Sequence, residues 1–565
     1  MKQLLMESTR RRILSEAHSQ TGSVVDEMKS YSLTPVANDG MNIYGNIRIN
    51  PLMSGPFSNA QEITIPLTSS NYDIIEFSNT YLHITARLRI RCSNPPVVEG
   101  DDDFSRMLKQ NQFIMIGLKA AGHVIRDYQI KFNNVPITTT TQSNAVYENY
   151  LYSTFKGKSE IANKKYVFTP YEEAHEYENS ICGAYIPIGD LANGPFYKDL
   201  DIIIPLRELL IFQAFNEFPT KLFGELQLVF HSTSEAFVHM EVNPITSIRK
   251  NLIAGKIDKS TPHLSEVLAC VGETFNYTHS FEQIGIASPV QYISGWDEEN
   301  SRLKFTTMPE FTPYIDELVV SECWVDCKGY RIQDSAIKAL NAHFRSNPFV
   351  VPAQRVETYT FPNGPEANGL RSSMSVNFNH TTDVEVLMPT DSRQRTVFRN
   401  PCLDNFQLQI GQQRYPDQLT STLSPQFHEM VIQSSDFDSI FEASDEFEHS
   451  LTDPLTDGTI TFKPTTDNTC FTPIFQTERT GSSGNSLWFD GIDGYHKVEI
   501  SGKALFPTND VYYKGNNTPS PIICLCSDTF WLFRIRENGM PNCQYVINNL
   551  FEDAYKNETL ESVSR

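Results

Sequence analysis

The segment from Leu82 to Arg91 reads Leu-His-Ile-Thr-Ala-Arg-Leu-Arg-Ile-Arg, so an apolar residue alternates with a polar one five times in succession. Successive side chains of a β-strand point to opposite faces of the sheet, and this period of two is therefore typical of a strand with one face in a core and the other in water. Similar runs recur at Glu62–Leu67 and Phe406–Gly411. The pattern predicts a protein built mainly of β-sheets.

Length and charge limit what such sheets can do. The chain has 565 residues, of which 40% are hydrophobic and 20% charged, and this suffices for two or three packed domains. A net charge of −22 opposes the wrapping of nucleic acid by the whole surface, because phosphate binding needs clustered Lys and Arg. The amino terminus has no apolar signal region and no segment approaches the ~18 apolar residues of a membrane span, so we expect synthesis in the cytosol or nucleus and no membrane span.

The alternating runs fall into two groups, and a short helical pattern separates them. Asp334 is a candidate N-cap for a helix over Ser335–Phe344, which Asn347-Pro348 would end. The predicted units in chain order are an N-terminal arm (1–45), a first β domain (46–335), a second β domain (336–550) and a tail (551–565). Each β domain carries an insertion, at about 244–315 in the first and, in an acidic stretch, at about 430–470 in the second.

Two local features of the first domain are also predicted. Asn133-Asn134 before Pro136 indicates a tight turn between strands. Ser143 is a candidate N-cap for a short helix that carries Tyr147, Tyr150 and Leu151 on one side.

No catalytic signature fits the chain. Gly157-Lys158-Ser159 resembles the end of a phosphate-binding loop, but Tyr152 stands where that loop requires glycine. The thirteen histidines include no His-Glu-x-x-His pair. We therefore predict no catalytic residue, no cofactor and no cofactor-binding or metal-binding residue.

The cysteines are better explained as buried thiols than as metal ligands. Cys323 and Cys327 are one residue further apart than the usual zinc-binding pair, and Cys524 and Cys526 have the spacing of neighbours on one face of a strand. Neither pair has a histidine at ligand spacing. Structural zinc stays the less favoured alternative.

The predicted arm contains a basic patch that includes Arg10, Arg11 and Arg12. These residues are candidates for contact with the inner face of an assembly, with nucleic acid or with an acidic neighbour. A solvated helix end is the simpler interpretation of the same residues.

A large acidic β protein with long insertions and an arm is typical of an assembly subunit, and jelly-roll sandwiches form many viral capsid domains. The stretch from Asn71 to Ile90, NYDIIEFSNTYLHITARLRI, resembles an early strand of double-jelly-roll major capsid proteins of the polinton, virophage and large DNA virus lineage. Within it Asn79-Thr80-Tyr81-Leu82 matches the family's phrase, and Glu76 stands where the family more often has Asp.

Other segments resemble the same family in the same order. They are Ile204-Pro205-Leu206 with the strand Leu226–Phe230, then Trp324-Val325-Asp326 with Arg331, then Asn400-Pro401 before Phe406–Gly411, and finally Arg414-Tyr415. The helix after Arg331 has fewer arginines than that of the family.

The resemblance implies two jelly-roll β-sandwich domains in tandem, three chains in a pseudo-hexameric capsomer, and an icosahedral shell around double-stranded DNA. The implied partners are further copies of the chain, neighbouring capsomers, penton and minor capsid proteins, and genome DNA or a core protein through the arm. The implied location is the virion capsid, after synthesis in the host cytoplasm or assembly in the host nucleus.

A different class stays open from the residues alone. Abundant aromatic residues and acids also suit a two-domain β-sandwich carbohydrate-binding protein or glycoside hydrolase. The missing export signal and the lack of any recognisable carboxylate pair count against it.

Overall fold

A computed structural model describes residues 41–94, 113–137, 144–154, 167–168, 182–241, 260, 264–265, 282–422, 471–477, 491–505 and 518–546, except positions 69, 193, 213–214, 298, 300–301, 347, 367 and 537–538. The described residues form mainly antiparallel β-structure, as the alternation predicts.

The strands of the first half, in chain order, are β1 (Met41–Ile49), β2 (Phe57–Ser58), β3 (Ile63–Pro66), β4 (Ile74–Cys92), β5 (Phe113–Leu118), β6 (Ile125–Phe132), β7 (Val135–Pro136), β8 (Val167–Phe168), β9 (Cys182–Pro187), β10 (Phe196–Pro205), β11 (Glu217–Phe218), β12 (Leu226–Ser232), β13 (Val238–Glu241), β14 (Glu282–Gln283), β15 (Ser288–Asp297), β16 (Arg302–Phe311) and β17 (Pro313–Ile332). Those of the second half are β18 (Phe349–Thr360), β19 (Leu370–Leu387), β20 (Leu403–Ile410), β21 (Gln413–Thr420), β22 (Ile474–Gln476), β23 (Ile492–Ala504), β24 (Ile522–Ile535) and β25 (Pro541–Val546). The helices are α1 (Ala145–Thr154), α2 (Ile188–Ala192), α3 (Thr220–Phe223) and α4 (Asp334–Ser346).

The first half is a jelly roll. In this fold eight antiparallel strands, numbered along the chain, lie in the orders 1-8-3-6 and 2-7-4-5 in two facing sheets. One sheet here has the order β1-β17-β4-β10, which is 1-8-3-6. The facing sheet contains two paths, β3-β12-β6 and β13-β5-β9. Strand 4 of the jelly roll consists of β5 and β6, and strand 7 consists of β12 and β13. The two paths are therefore 2-7-4 and 7-4-5, which together give 2-7-4-5.

The second half repeats this topology. The path β18-β24-β19, extended by the pairing of β19 with β22, is again 1-8-3-6, and the path β19-β23-β20-β21 is again 2-7-4-5. Strand β19 supplies both strand 2 and strand 3, because Leu370–Phe378 pairs with β23 and the part from Thr381 onward pairs with β24. The chain is therefore a double jelly roll.

The switch of β19 between sheets occurs at a bend. The register shifts between Phe378 and Thr381, and His380 has a φ of 49°, in the left-handed region that residues with a Cβ seldom adopt. The Thr381 hydroxyl lies 3.1 Å from that of Ser527. The chain passes so close to Gly491 that a Cβ there would lie 2.2 Å from the carbonyl oxygen of Thr381.

A cluster of aromatic rings joins the two jelly rolls. Strands β18 and β24 extend beyond their own sandwich, and their ends insert Phe349, Trp531 and Phe533 among phenylalanines of the first half. We call this set of rings the aromatic cluster, and no member exposes more than 2% of its surface. Its members are Phe77, Phe212, Phe215, Phe218, Phe223, Phe344, Phe349, Trp531 and Phe533. Because one hydrophobic core crosses the boundary, the two sandwiches form a single packed unit.

Polar groups fix the same boundary. The side-chain oxygen of Gln283 in β14 accepts hydrogen bonds from the backbone N–H groups of Arg395 (2.9 Å) and Thr396 (3.0 Å) in the second half. Arg399 Nη2 lies 3.2 Å from Glu282 Oε2. His239, almost fully buried nearby, donates from Nε2 to the Ile286 carbonyl at 3.2 Å, and burial lowers its pKa to about 4.

Several local predictions are confirmed, and some details differ. Asn133 and Asn134 both have positive φ, as the predicted turn requires, and α4 forms where the Asp334 pattern places a helix. The side chain of Asn144 caps α1 through the backbone N–H of Val146 at 3.0 Å, whereas Ser143, the predicted cap, lies outside the described residues. Strand β1 begins at Met41, within the segment assigned to the arm.

Candidate assembly surface

The residues predicted to make inner-face or neighbour contacts, Arg10, Arg11 and Arg12, lie outside the described residues, as does the acidic insertion at 430–470. The described part of the insertion at 244–315 contains β14 and the hairpin of β15 and β16. The described candidates for contact surfaces are therefore faces of the two sandwiches.

The most distinctive surface is the outward side of the sheet β1-β17-β4-β10. Alternation along each strand buries one set of side chains and leaves the other on this side. We call it the outer face of the first sheet, and its residues are Tyr44, Arg48, Tyr81, His83, Thr85, Arg87, Arg89, Arg91, Tyr197, Asp199, Asp201, Asp316, Glu317, Glu322, Trp324, Asp326 and Lys328.

The centre of this face is a stack built across three strands. Trp324 of β17 is paired in register with His83 of β4, and their rings lie parallel at 4.7 Å with an interplanar angle of 8°. The guanidinium of Arg48, from β1 on the other side of β17, lies 3.7 Å from the centroid of the Trp324 ring. Both faces of the indole are therefore covered, one by a cation–π contact and one by an imidazole.

Asp326 fixes the stack. Its Oδ2 accepts hydrogen bonds from His83 Nε2 at 2.9 Å and from Trp324 Nε1 at 3.1 Å. Partial burial lowers the pKa of His83, although the Asp326 carboxylate acts in the opposite direction. The imidazole is thus held as a hydrogen-bond donor in one orientation.

Ion pairs order the rest of the face. Arg87 makes a bidentate pair with Asp199, at 2.7 and 3.0 Å, and this contact lowers the pKa of the Asp199 carboxyl. Arg89 and Arg91 both bind Asp316. Arginine and carboxylate therefore alternate across the strands, and the long side chains are held in fixed positions.

A sheet of the second domain presents a different surface. The outward residues of the sheet formed by β19 and β23 are mainly short polar or singly charged groups, and we call them the outer face of the second-domain sheet: Arg371, Ser373, Ser375, Asn377, Tyr495, Lys497, Glu499, Ser501 and Lys503. Aromatic residues and arginine are enriched at protein interfaces, whereas Ser, Lys, Glu and Asp are depleted there. Of these two described faces, the outer face of the first sheet carries the aromatic residues and arginines that interfaces favour, together with carboxylates that pair with the arginines.

The same geometry bears on carbohydrate binding. A sugar ring binds an aromatic side chain through an open ring face, and both faces of Trp324 are occupied by His83 and Arg48. The stack is therefore not shaped to receive a pyranose.

The cysteines are thiols within the described residues. Cys323 and Cys327 are buried and unpaired, and burial raises the pKa of Cys327 to about 12 and that of Cys323 further. Cys524 is fully buried beside Glu385, and burial and that charge both raise its pKa. Among the residues that the structure describes, no group of three or more His, Cys, Asp or Glu side chains is arranged to hold a metal ion.

None of the helices in the described part of the chain has both the length and the apolar character needed to cross a membrane.

Comparison with known proteins finds similarity in fold only. No family model matches the chain, and no curated protein matches it. Among solved structures, the chain is similar to the mavirus major capsid protein at 10% identity and a TM-score of 0.44, with 88% of this chain and 90% of that chain covered. It is similar to a chain of the Sputnik virophage at 10% identity and 0.43, with 90% and 89% covered.

The chain is also similar to a chain of the PBCV-1 virus capsid at 9% identity and a TM-score of 0.41, with 90% of this chain and 97% of that chain covered. The strand order of the two halves establishes the double jelly roll independently of these similarities. The resemblance to double-jelly-roll major capsid proteins drawn from the sequence is confirmed for the fold.

Sequence reasoning did not identify the stack as a unit. Trp324 and Asp326 were noted as part of a family-like motif, and His83 as a polar position in an alternating strand. Their contact depends on the register of β17 against β4, which joins residues more than two hundred positions apart.

Proposed function

We propose that the chain is a major capsid protein, a non-enzymatic subunit that forms homotrimeric, pseudo-hexameric capsomers of an icosahedral double-stranded DNA virus shell. The observation that carries the proposal is the repeated topology: two jelly rolls of the same strand order occur in one chain. Three such chains around a threefold axis present six sandwiches in a ring, which is the shape of a tile with nearly hexagonal packing.

The packing between the sandwiches supports this role. A tile needs a fixed shape, and the aromatic cluster gives the pair one continuous core in place of a flexible linker. The hydrogen bonds from Arg395 and Thr396 to Gln283 lock the same boundary at a second place.

On this proposal the copies meet neighbouring capsomers, penton proteins and minor capsid proteins, and the arm with Arg10, Arg11 and Arg12 faces inward toward genome DNA or a core protein, or binds a neighbouring subunit. The location is the virion capsid. The chain is made in the host cytoplasm or assembled in the host nucleus.

Light scattering of the purified full chain, followed by electron microscopy, tests the proposal. We expect a particle of three chain masses with a hexagonal outline and, at higher concentration or lower net repulsion, closed shells. A protein that stays monomeric at all concentrations, or that is retained on a glycan array, contradicts it.

Deletion of residues 1–20 tests the arm separately. We expect soluble trimers that fail to close into shells. Normal shells from the deleted chain would show that the arm has no role in assembly.

A further inference from the structure

We infer that the outer face of the first sheet is the surface that docks against a second copy of this chain. The inference rests on the proposed function, because it names the surface through which the proposed subunits meet. It is carried by the ordered stack of Arg48, Trp324 and His83 and by the ion pairs around it.

The first argument concerns order before binding. Binding costs the conformational entropy of the side chains that it immobilises, so a surface whose side chains are already held loses less on association. Trp324 and His83 are held by Asp326, and Arg87 is held by Asp199. Tyr197, which is 56% exposed, and Tyr44, which is 49% exposed, add aromatic area to the same ordered face.

The second argument concerns the occupant. A chain with a net charge of −22 repels its own copies unless the contact is locally balanced. On this face Arg87, Arg89 and Arg91 are paired with Asp199, Asp316 and Glu317, so the surface is locally balanced and does not repel a second copy.

The same balance disfavours nucleic acid. Phosphate binding depends on cations that release counterions, and the arginines at the centre of this face are already neutralised by neighbouring carboxylates. A copy of this acidic chain can meet the balanced face without repulsion, so we infer a copy as the occupant.

A pair of matched substitutions tests the docking surface. Tyr197→Asp places a charge on the outer face of the first sheet, and Tyr495→Asp makes the same change on the outer face of the second-domain sheet, where the tyrosine is 72% exposed. We expect Tyr197→Asp to raise the dissociation constant of the oligomer about tenfold or more, as at a hot spot, and Tyr495→Asp to leave it unchanged. Sedimentation velocity of the full chain across a concentration series measures both, and circular dichroism with thermal melting checks the fold.

Cross-linking provides a second readout that does not depend on a variant. In a mixture of unlabelled and ¹⁵N-labelled chains, a lysine-reactive reagent should join copies through Lys328, which lies over Tyr81 on the docking face, more than through Lys497 on the control face.

The outcomes separate the two proposals. A monomeric wild type contradicts the proposed function and this inference together. A wild type that associates, with Tyr197→Asp associating equally or Tyr495→Asp disrupting equally, overturns the docking surface alone. Cross-links between copies that involve Lys497 and not Lys328 overturn it as well.

Discussion

Replacing Phe533 with alanine should both destabilise the protein and separate the unfolding of its two sandwiches. The ring is fully buried, and rings from both halves lie within 6.0 Å of its centroid: Phe132, Phe215, Phe218, Phe223, Phe349 and Trp531. Removing a buried phenylalanine costs about 3–5 kcal/mol of unfolding free energy. The cavity would be lined by six aromatic rings that belong to both halves, so we expect a loss of about 4–5 kcal/mol, near the upper end of that range.

The matched control is Phe378→Ala. Phe378 is also fully buried, but it lies in the separate core of the second jelly roll. The control should cost about 3–4 kcal/mol and leave a single cooperative transition, because the contact between the halves stays intact.

Urea unfolding at one protein concentration, followed by fluorescence and far-UV circular dichroism, measures both effects. Phe533→Ala should give two transitions, with the probes no longer coincident. A loss below about 1.5 kcal/mol, or a split transition in Phe378→Ala and not in Phe533→Ala, would refute the idea that the aromatic cluster couples the halves. Phe533→Leu, which keeps most of the volume, should be intermediate.

Three further changes test individual contacts. Burial lowers the pKa of His239 from 6.5 to about 4, so the unfolded state binds more protons between these pH values. The wild type should therefore lose about 3 kcal/mol of unfolding free energy as the pH falls through this range. His239→Gln should remove this loss in urea titrations, and a variant with the same pH profile as the wild type would contradict the prediction. Burial and, to a lesser extent, the charge of Asp383 raise the pKa of Glu385, so the folded state binds more protons than the unfolded state above pH 4.5. Glu385→Gln should therefore be more stable than the wild type at about pH 8 and not at about pH 4. Equal urea midpoints of the two proteins at about pH 8 would disprove this prediction. A Cβ at Gly329 would lie 2.6 Å from the Ile74 carbonyl oxygen and 2.9 Å from the Tyr72 ring, so Gly329→Ala should cost about 1–3 kcal/mol in the same assay, and a neutral result would show that the strands can move apart.

The sequence predicts those parts of the fold that depend on local chemistry. Leu82–Arg91 alternates because the strand has a wet and a dry face, and the structure buries Leu82, Ile84 and Leu88 as expected. Asn133 and Asn134 adopt positive φ because asparagine tolerates it, and Asp334 marks the start of α4.

Long-range register is beyond local chemistry. The residues around Val376 and Val384 both alternate, and nothing in this alternation shows that one strand, β19, passes from one sheet to the other at His380. For Trp531 and Phe533, no local pattern tells whether the side chains pack in their own sandwich or in the other one. The Trp324 stack was missed for the same reason, since its partners come from β1 and β4.

The aromatic cluster has a geometric consequence for anything built from this chain. Because one core includes described residues of both sandwiches, the angle between them is set by packing during folding. A layer of such units is stiff within each unit and can bend only where one unit meets the next. The curvature of a closed particle would then depend on the angle at which neighbouring units meet, because each unit keeps the same shape and thickness.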